Sequence, residues 1–111
     1  MYEIKKRIEI CSAHKLKLNY PSKCQNLHGH NWNIDVFLRT EKLNENGMIV
    51  DFDQIAQKLM DKLDHKILND VLDFNPTAEN LAKFVCDFFA PHCYRVVVEE
   101  CEGNVATYAK N

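Results

Sequence analysis

The chain has 111 residues, of which 46% are apolar, and its 14 lysines and arginines nearly balance 16 aspartates and glutamates for a net charge of −2. A chain of this length forms one hydrophobic core, so we expect a single domain over residues 1–111. The longest run of like charge is Lys5–Arg7. Because nucleic-acid and membrane-surface binders need a broad basic face, the composition argues against both kinds of partner.

The first ten residues alternate apolar and charged side chains, without the apolar centre of a signal peptide or a membrane span. The sequence therefore predicts a cytoplasmic protein. Its cysteines are odd in number and follow no regular framework, which in a reducing compartment predicts free thiols. They are Cys11, Cys24, Cys86, Cys93 and Cys101.

Two strands are predicted in the first third of the chain. From Tyr2 to His14 apolar residues occupy most even positions and charged residues occupy the odd ones, which is typical of a half-buried strand. From His28 to Leu38 the alternation returns. His14, His28 and His30 therefore extend the apolar faces of their strands, which is an unusual place for imidazoles.

The middle of the chain predicts a turn, a short strand and two helices. Residues 44–47 have turn composition, and residues 48–52 are predicted to return as a short hairpin strand. A first helix is predicted to begin at Asp51 or Asp53, either of which could cap it. A second helix is predicted over residues 78–89 because its apolar residues have helical spacing and a proline follows.

The last elements are two strands that form a hairpin around Gly103. The order of elements predicts an α+β fold, an antiparallel four-stranded sheet with two helices on one face. The edge strands of such a sheet are open, and a small open sheet often pairs with other copies of itself. We therefore expect a homo-oligomer.

The three histidines at the strand ends suggest a metal site. Side chains two residues apart in a strand point to the same side, about 6.5–7 Å apart, so His28 and His30 can reach one ion. Antiparallel pairing of the two strands would bring His14 to the same place. Three neutral nitrogens leave the fourth tetrahedral position of a zinc ion open, as in catalytic sites. Any one of these histidines alone could equally be a core residue.

Other side chains allow two interpretations each. Cys24, four residues before His28, could be a fourth zinc ligand or a thiolate base beside the metal. Asp64 and His65 could form a proton-transfer pair, or His65 could be a cation favoured at a helix C-terminus. Glu100 continues an apolar strand face, so it could bind a ligand or face water at the strand end.

Six segments carry a resemblance to a known family: SAHKL, CQNLHGHNW, GMIVDF, LDHKILND, NPTAENLA and VVVEEC. In this order they resemble the family of 6-pyruvoyl-tetrahydropterin synthase and 6-carboxy-tetrahydropterin synthase, over nearly the whole chain. Three residues separate Cys24 from the HGH segment. This spacer is similar to that of the bacterial 6-carboxy-tetrahydropterin synthase of queuosine biosynthesis, because the pyruvoyl-forming enzymes typically have a longer one.

The resemblance implies a fold and an assembly. The fold is the tunnelling fold, in which subunits join their sheets into a barrel. The assembly is a homo-oligomer, expected to be a hexamer built as a dimer of trimers with active sites at the interfaces. The implied cofactor is Zn²⁺, bound by His14, His28 and His30.

The resemblance also implies a role for each remaining site residue. Cys24 is the catalytic base, and Asp64 with His65 is the partner pair for proton transfer. Glu100 anchors the pterin ring. Cys101 follows it where threonine is usual, so a hydroxyl contact to the pterin is missing or replaced.

Thr77 and Glu79 lie in a segment that in relatives is near the pterin of an adjoining subunit. Capping of the second helix explains these two residues equally well.

The implied reaction converts 7,8-dihydroneopterin triphosphate to 6-carboxy-tetrahydropterin, acetaldehyde and triphosphate. A 6-pyruvoyl product from the same substrate is the alternative. A non-catalytic zinc-binding module would explain the histidines, but not the thiol, the acid pair and the glutamate that accompany them. Lys15, Lys17 and Lys23 lie near the metal segments and could contact the triphosphate, although solvated surface lysines are the simpler explanation.

Overall fold

The first two strands of the sheet come from stretches in which apolar and polar residues alternate. The computed structural model describes all residues, 1–111. The four strands form one antiparallel sheet in chain order, with β1 Tyr2–His14, β2 His28–Thr40, β3 Cys93–Cys101 and β4 Asn104–Ala109. The helices are α1 Phe52–Leu63, α2 Leu68–Val71 and α3 Ala78–Phe88, and a single 3-10 turn covers Lys23–Gln25. The predicted α+β architecture is confirmed.

The core lies between the sheet and the helices. Alternate apolar residues of β1, β2 and β3 are buried there, among them Ile10, Trp32 and Val98. Helix α1 contributes the apolar residues of one face to this core. Helix α3, which packs against β3 and β4, also contributes the apolar residues of one face. The core face of the sheet continues beyond these apolar residues to the strand ends that carry the histidines.

Each long helix begins at a side-chain cap. Asp51 caps α1, since its carboxylate accepts a hydrogen bond from the Asp53 backbone N–H at 2.8 Å. Thr77 caps α3, since its hydroxyl oxygen accepts from the Asn80 backbone N–H at 3.1 Å. No helix of the chain is both long and apolar enough to span a membrane.

The predicted short strand over residues 48–52 is wrong. The turn at 44–47 does form, with the Asn44 side chain accepting from the Met48 backbone N–H at 3.1 Å. The residues after it nevertheless run into α1 without joining the sheet. The physical reason is that both edges of β2 are already occupied, one by β1 and the other by β3, so a returning hairpin strand has no hydrogen-bonding edge to join.

The segment after α1 runs along the outer edge of β1. Ala13 pairs in parallel with Ile67, and the Cys11 carbonyl accepts from the His65 backbone N–H at 2.8 Å. Beyond it, Leu68 is fully buried, so this segment packs onto the core. The segment contains α2, a single turn of helix that no sequence pattern predicted.

Two asparagine side chains extend the edge of β1 beyond its last residue. The Asn69 amide accepts from the Lys15 backbone N–H at 2.9 Å and donates to the Lys15 carbonyl at 2.8 Å. The Asn75 amide repeats this two-way contact with Lys17 at 2.9 Å and 3.0 Å. Each amide takes the place of a neighbouring strand, and together they tie the segment after His14 to α2 and to the loop before α3.

Candidate active site

The three strand-end histidines meet at one point. The β1–β2 register sets His14 directly opposite His28, and His30 is two residues further along the same face. The ring centroids lie 4.5 Å apart for His14 and His28, 5.2 Å for His14 and His30, and 4.8 Å for His28 and His30. One nitrogen from each ring lies within 4.8 Å of the other two. This is the arrangement that antiparallel pairing predicts.

Two backbone carbonyls fix the orientation of two of these rings. His14 Nδ1 lies 2.7 Å from the Pro76 carbonyl oxygen, and His28 Nδ1 lies 2.7 Å from that of Asn26. A carbonyl oxygen only accepts, so each Nδ1 carries the hydrogen and each Nε2 keeps a free lone pair. The sequence could not predict these partners because any residue type supplies a carbonyl.

The free nitrogens fit a metal ion. Nε2 of His14 and Nε2 of His30 are both buried and have no hydrogen-bond partner. Burial lowers the pKa of His14 and of His30, so both imidazoles are neutral and can ligate. A buried acceptor without a partner is unfavourable, and a cation would satisfy it. Three imidazole nitrogens are a donor set typical of zinc, so this cluster could hold the ion.

Trp32 supports the cluster from the core side. Its ring meets those of His14 and His30 edge to face, with centroids 4.9 Å and 5.4 Å away. The indole N–H donates to the Ser12 carbonyl at 3.1 Å, and the Ser12 hydroxyl donates to the Leu63 carbonyl. The imidazoles of His14 and His30 therefore pack against a residue whose hydrogen bonds connect β2 to β1 and, through Ser12, β1 to α1.

A cavity of about 420 Å³ opens in front of the histidines, and Cys24 lies in its wall. Its lining residues are Lys23, Cys24, His28, Gly29, His30, Glu100, Cys101 and Asn104. The Cys24 sulfur does not belong to the group of three mutually close nitrogens. The geometry therefore favours a free thiol beside the cluster over a fourth ligand that would close it.

Glu100 stands between this cavity and a second one. Its carboxylate oxygens lie 3.5 Å from His14 Nε2 and 3.8 Å from His30 Nε2, beyond the usual hydrogen-bond range of about 2.7–3.2 Å. The second cavity, of about 620 Å³, is lined by Glu100 together with Thr77 and Glu79. Thr77 thus caps α3 and lines a cavity, so the two explanations of this residue are compatible.

Asp64 and His65 contact one another but lie away from both cavities. Asp64 Oδ2 is 2.9 Å from His65 Nδ1, and Asp64 Oδ1 accepts from the Cys11 backbone N–H at 2.8 Å. The His65 side chain is 80% exposed on the outer edge of β1, and its backbone has a left-handed φ of 55°. Neither residue lines the cavities described above. Within one chain, the pair is not brought to Cys24.

The chain should lose stability in acid partly through Asp64. Burial alone would raise the pKa of Asp64, but hydrogen bonds from the Cys11 backbone and from His65 outweigh it, so the pKa lies below its usual value. A carboxyl with a lower pKa in the folded state stabilises the fold above its unfolded pKa. That contribution is lost as the pH falls through the folded pKa.

Urea unfolding from about pH 7 to about pH 2 measures this contribution. Below about pH 4 the free energy of unfolding should fall less steeply for Asp64→Asn than for the parent chain. Asp70→Asn removes an exposed carboxylate from α2 and should keep the parent slope. Equal slopes for all three proteins would contradict the prediction.

The chain matches a known protein family over nearly its whole length. The family described as 6-pyruvoyl tetrahydropterin synthase matches residues 3–111. The chain belongs to this family. A solved structure of the Caenorhabditis elegans 6-pyruvoyl tetrahydropterin synthase superposes with a TM-score of 0.77 at 25% identity, covering 99% of this chain and 96% of that one.

Curated relatives of the 6-pyruvoyl tetrahydropterin synthase family carry two activity names. The 6-carboxy-5,6,7,8-tetrahydropterin synthase of Bacillus subtilis is 26% identical over 123 residues, covering 96% of this chain and 84% of that protein. The 6-pyruvoyl tetrahydrobiopterin synthase of Dictyostelium discoideum is 36% identical over 98 residues, covering 78% and 73%. Matches to two Pyrococcus proteins span only 43% and 44% of those relatives' length.

Proposed function

We propose that this chain is a zinc-dependent 6-carboxy-5,6,7,8-tetrahydropterin synthase of queuosine biosynthesis. It would convert 7,8-dihydroneopterin triphosphate and one water molecule to 6-carboxy-tetrahydropterin, acetaldehyde and triphosphate. The observation that carries the proposal is the cavity in which two of the clustered imidazoles, the Cys24 thiol and the Glu100 carboxylate meet. The name of the Bacillus subtilis relative and the short spacer between Cys24 and His28 support the carboxy product.

The histidine cluster and Cys24 would share the chemistry at the substrate side chain. His14, His28 and His30 would hold the zinc ion, which when bound supplies a Lewis acid that polarises substrate oxygens. Cys24, as a thiolate in the wall of the same cavity, would remove a proton from a side-chain carbon of the substrate. Its position outside the histidine group leaves its sulfur free for that proton.

Glu100 would hold the pterin ring. A carboxylate that faces a cavity accepts two adjacent N–H groups well, and a pterin ring edge presents such a pair. Thr77 and Glu79 continue the wall of the adjoining cavity and would contact the same ligand. Holding the ring in one orientation places the reacting side chain against Cys24 and the histidines.

Asp64 and His65 would serve a site completed by another copy of the chain. His65 is exposed at the sheet edge, and in its own chain neither residue of the pair lines either cavity. Pairing between copies, through the edge of β4 and the part of the β1 edge that residues 65–67 leave free, would join the sheets into a barrel, for which we propose a hexamer made of two trimers. Asp64 would orient the imidazole, and His65 would relay a proton as triphosphate leaves.

Glu100→Gln should weaken pterin binding and leave the metal in place. The substitution removes a charged acceptor, and hydrogen bonds to charged groups contribute about 1.5–3 kcal/mol, which corresponds to a loss of affinity of about 10–150-fold. Isothermal titration with neopterin measures the loss, and metal analysis checks the zinc. Glu99→Gln, one residue earlier and outside the lining of both cavities, is the matched control. Equal neopterin affinity in the two variants would refute the role of Glu100.

Mass spectrometry of the products tests the proposed function directly. Purified, zinc-loaded protein incubated with 7,8-dihydroneopterin triphosphate should yield 6-carboxy-tetrahydropterin and acetaldehyde. A 6-pyruvoyl product would establish the second candidate, which the name and 36% identity of the Dictyostelium relative favour. Unchanged substrate from a zinc-replete sample would refute both and leave a non-catalytic zinc-binding module.

A further inference from the structure

The end of β3 directs two consecutive side chains toward one cavity. In a regular strand Glu100 and Cys101 would point to opposite faces of the sheet. The β3–β4 register shifts between Glu99 and Cys101, and a bulge of this kind re-aims a side chain. As a result the Glu100 carboxylate and the Cys101 thiol both line the cavity in front of the histidines.

Together with His30 these two side chains form a compact group of unlike donors. The ligand atoms of His30, Glu100 and Cys101 all lie within 4.8 Å of one another. His30 Nε2 is buried without a hydrogen-bond partner and lies 3.8 Å from Glu100 Oε1. The fully buried His14 adds a second unpartnered Nε2, 3.5 Å from Glu100 Oε2.

The sulfur of this group has a partner of its own. The Asn104 side-chain amide donates a hydrogen bond to Cys101 Sγ at 3.2 Å. Asn104 opens β4 directly opposite Cys101 in the register of the two strands. Outer partners of this kind orient a ligating atom and leave its remaining lone pairs for the ion.

We propose that His30, Glu100 and Cys101 form a second cation position, distinct from the three-histidine cluster. One nitrogen, one carboxylate oxygen and one sulfur suit a thiophilic divalent ion such as Zn²⁺, Cd²⁺ or Co²⁺. A neutral His30 imidazole has one unprotonated nitrogen, so the two positions share this residue and one ion at a time can bind it. The second position is thus an alternative binding site for the ion.

An ion at the second position would compete with ligand binding, an expectation that rests on the proposed function. An ion bound by Glu100 occupies the carboxylate that would otherwise accept the pterin ring. Neopterin and the ion at the second position should therefore exclude one another. The test of the metal position itself needs no turnover, so its outcome is independent of whether the chain is a synthase.

Binding of Co²⁺ in place of Zn²⁺ allows the second position to be detected by its absorption spectrum. The metal-free protein, titrated with Co²⁺, should develop the near-ultraviolet charge-transfer band of a cobalt–thiolate bond. Cys101→Thr should lose this band. Cys24→Ala, which removes the other thiol of the cavity, and Cys11→Ser, which removes an exposed thiol, should both keep it. Circular dichroism shows whether each variant is folded.

Three outcomes would overturn the proposal. The first is cobalt binding without a thiolate band, and the second is a band that folded Cys101→Thr retains. The third is a band that Cys24→Ala alone abolishes, which would make Cys24 the ligand. Cys101→Ala is the second variant if the threonine does not fold, and the same loss is expected. Glu100→Gln should weaken the band, because it removes the oxygen donor of the group.

Discussion

His28→Ala is expected to lower the zinc affinity of the chain by more than about 100-fold. Removing a group that only hydrogen-bonds to a metal ligand already costs about 10–100-fold in affinity, and this substitution removes a ligand itself. His28 is a suitable target since its ring is fixed only by the Asn26 carbonyl and it is less deeply buried than His14. Its removal should therefore leave the core intact. Turnover of 7,8-dihydroneopterin triphosphate should fall with the zinc content.

Metal analysis after dialysis gives the zinc content of each protein, and urea unfolding shows whether the fold persists. His92→Ala is the matched control, because His92 lines neither cavity and its hydrogen bond to the Arg39 N–H, at 3.0 Å, uses the backbone carbonyl that the variant keeps. This variant should bind as much zinc as the parent chain. A folded His28→Ala protein with full zinc would mean that the cluster is not the metal site.

Cys24→Ala is expected to reduce turnover by about 10²–10⁴-fold, the usual contribution of a positioned general base, while zinc stays bound. The thiol lies in the cavity wall outside the group of three nitrogens, so its loss removes a base and not a ligand. Cys24→Ser should recover little activity, since a hydroxyl is a far weaker base than a thiolate at neutral pH.

Turnover and zinc content are measured on the same preparation of the Cys24 variants. Cys11→Ala, which removes an exposed thiol outside both cavities, controls for the loss of a thiol as such. Loss of zinc together with activity in Cys24→Ala would show that Cys24 closes the metal site. The zinc would then be structural, and the proposed mechanism would be wrong.

The histidine cluster could be predicted because it follows from local rules. Alternation gave the two strands, and antiparallel pairing sets His14 opposite His28 without any knowledge of the rest of the fold. The short strand predicted at residues 48–52 failed for the opposite reason. Its composition suits a strand, but whether an edge of β2 is free depends on where β3 goes, and no local pattern contains that information.

Other features of the site depend on the path of the whole chain. Adjacency alone predicts that Asp64 can contact His65, but the exposure of His65 on the outer edge of β1 follows from the route between α1 and α2. The partner of His14 Nδ1 is the Pro76 carbonyl, a group that every residue type has. Strict alternation also assigns Cys101 to the face opposite Glu100, and the bulge reverses that assignment.

The two amide contacts of Asn69 and Asn75 limit how the length of this chain can change. They hold α2 and the loop before α3 against residues 15–17, and Pro76 follows Asn75 directly with the carbonyl that orients His14. One residue inserted between Asn69 and Asn75 would break an amide contact or move that carbonyl away from the ring. The exposed turn at residues 44–47 has no such connection, so insertions are tolerable there and deleterious in the loop.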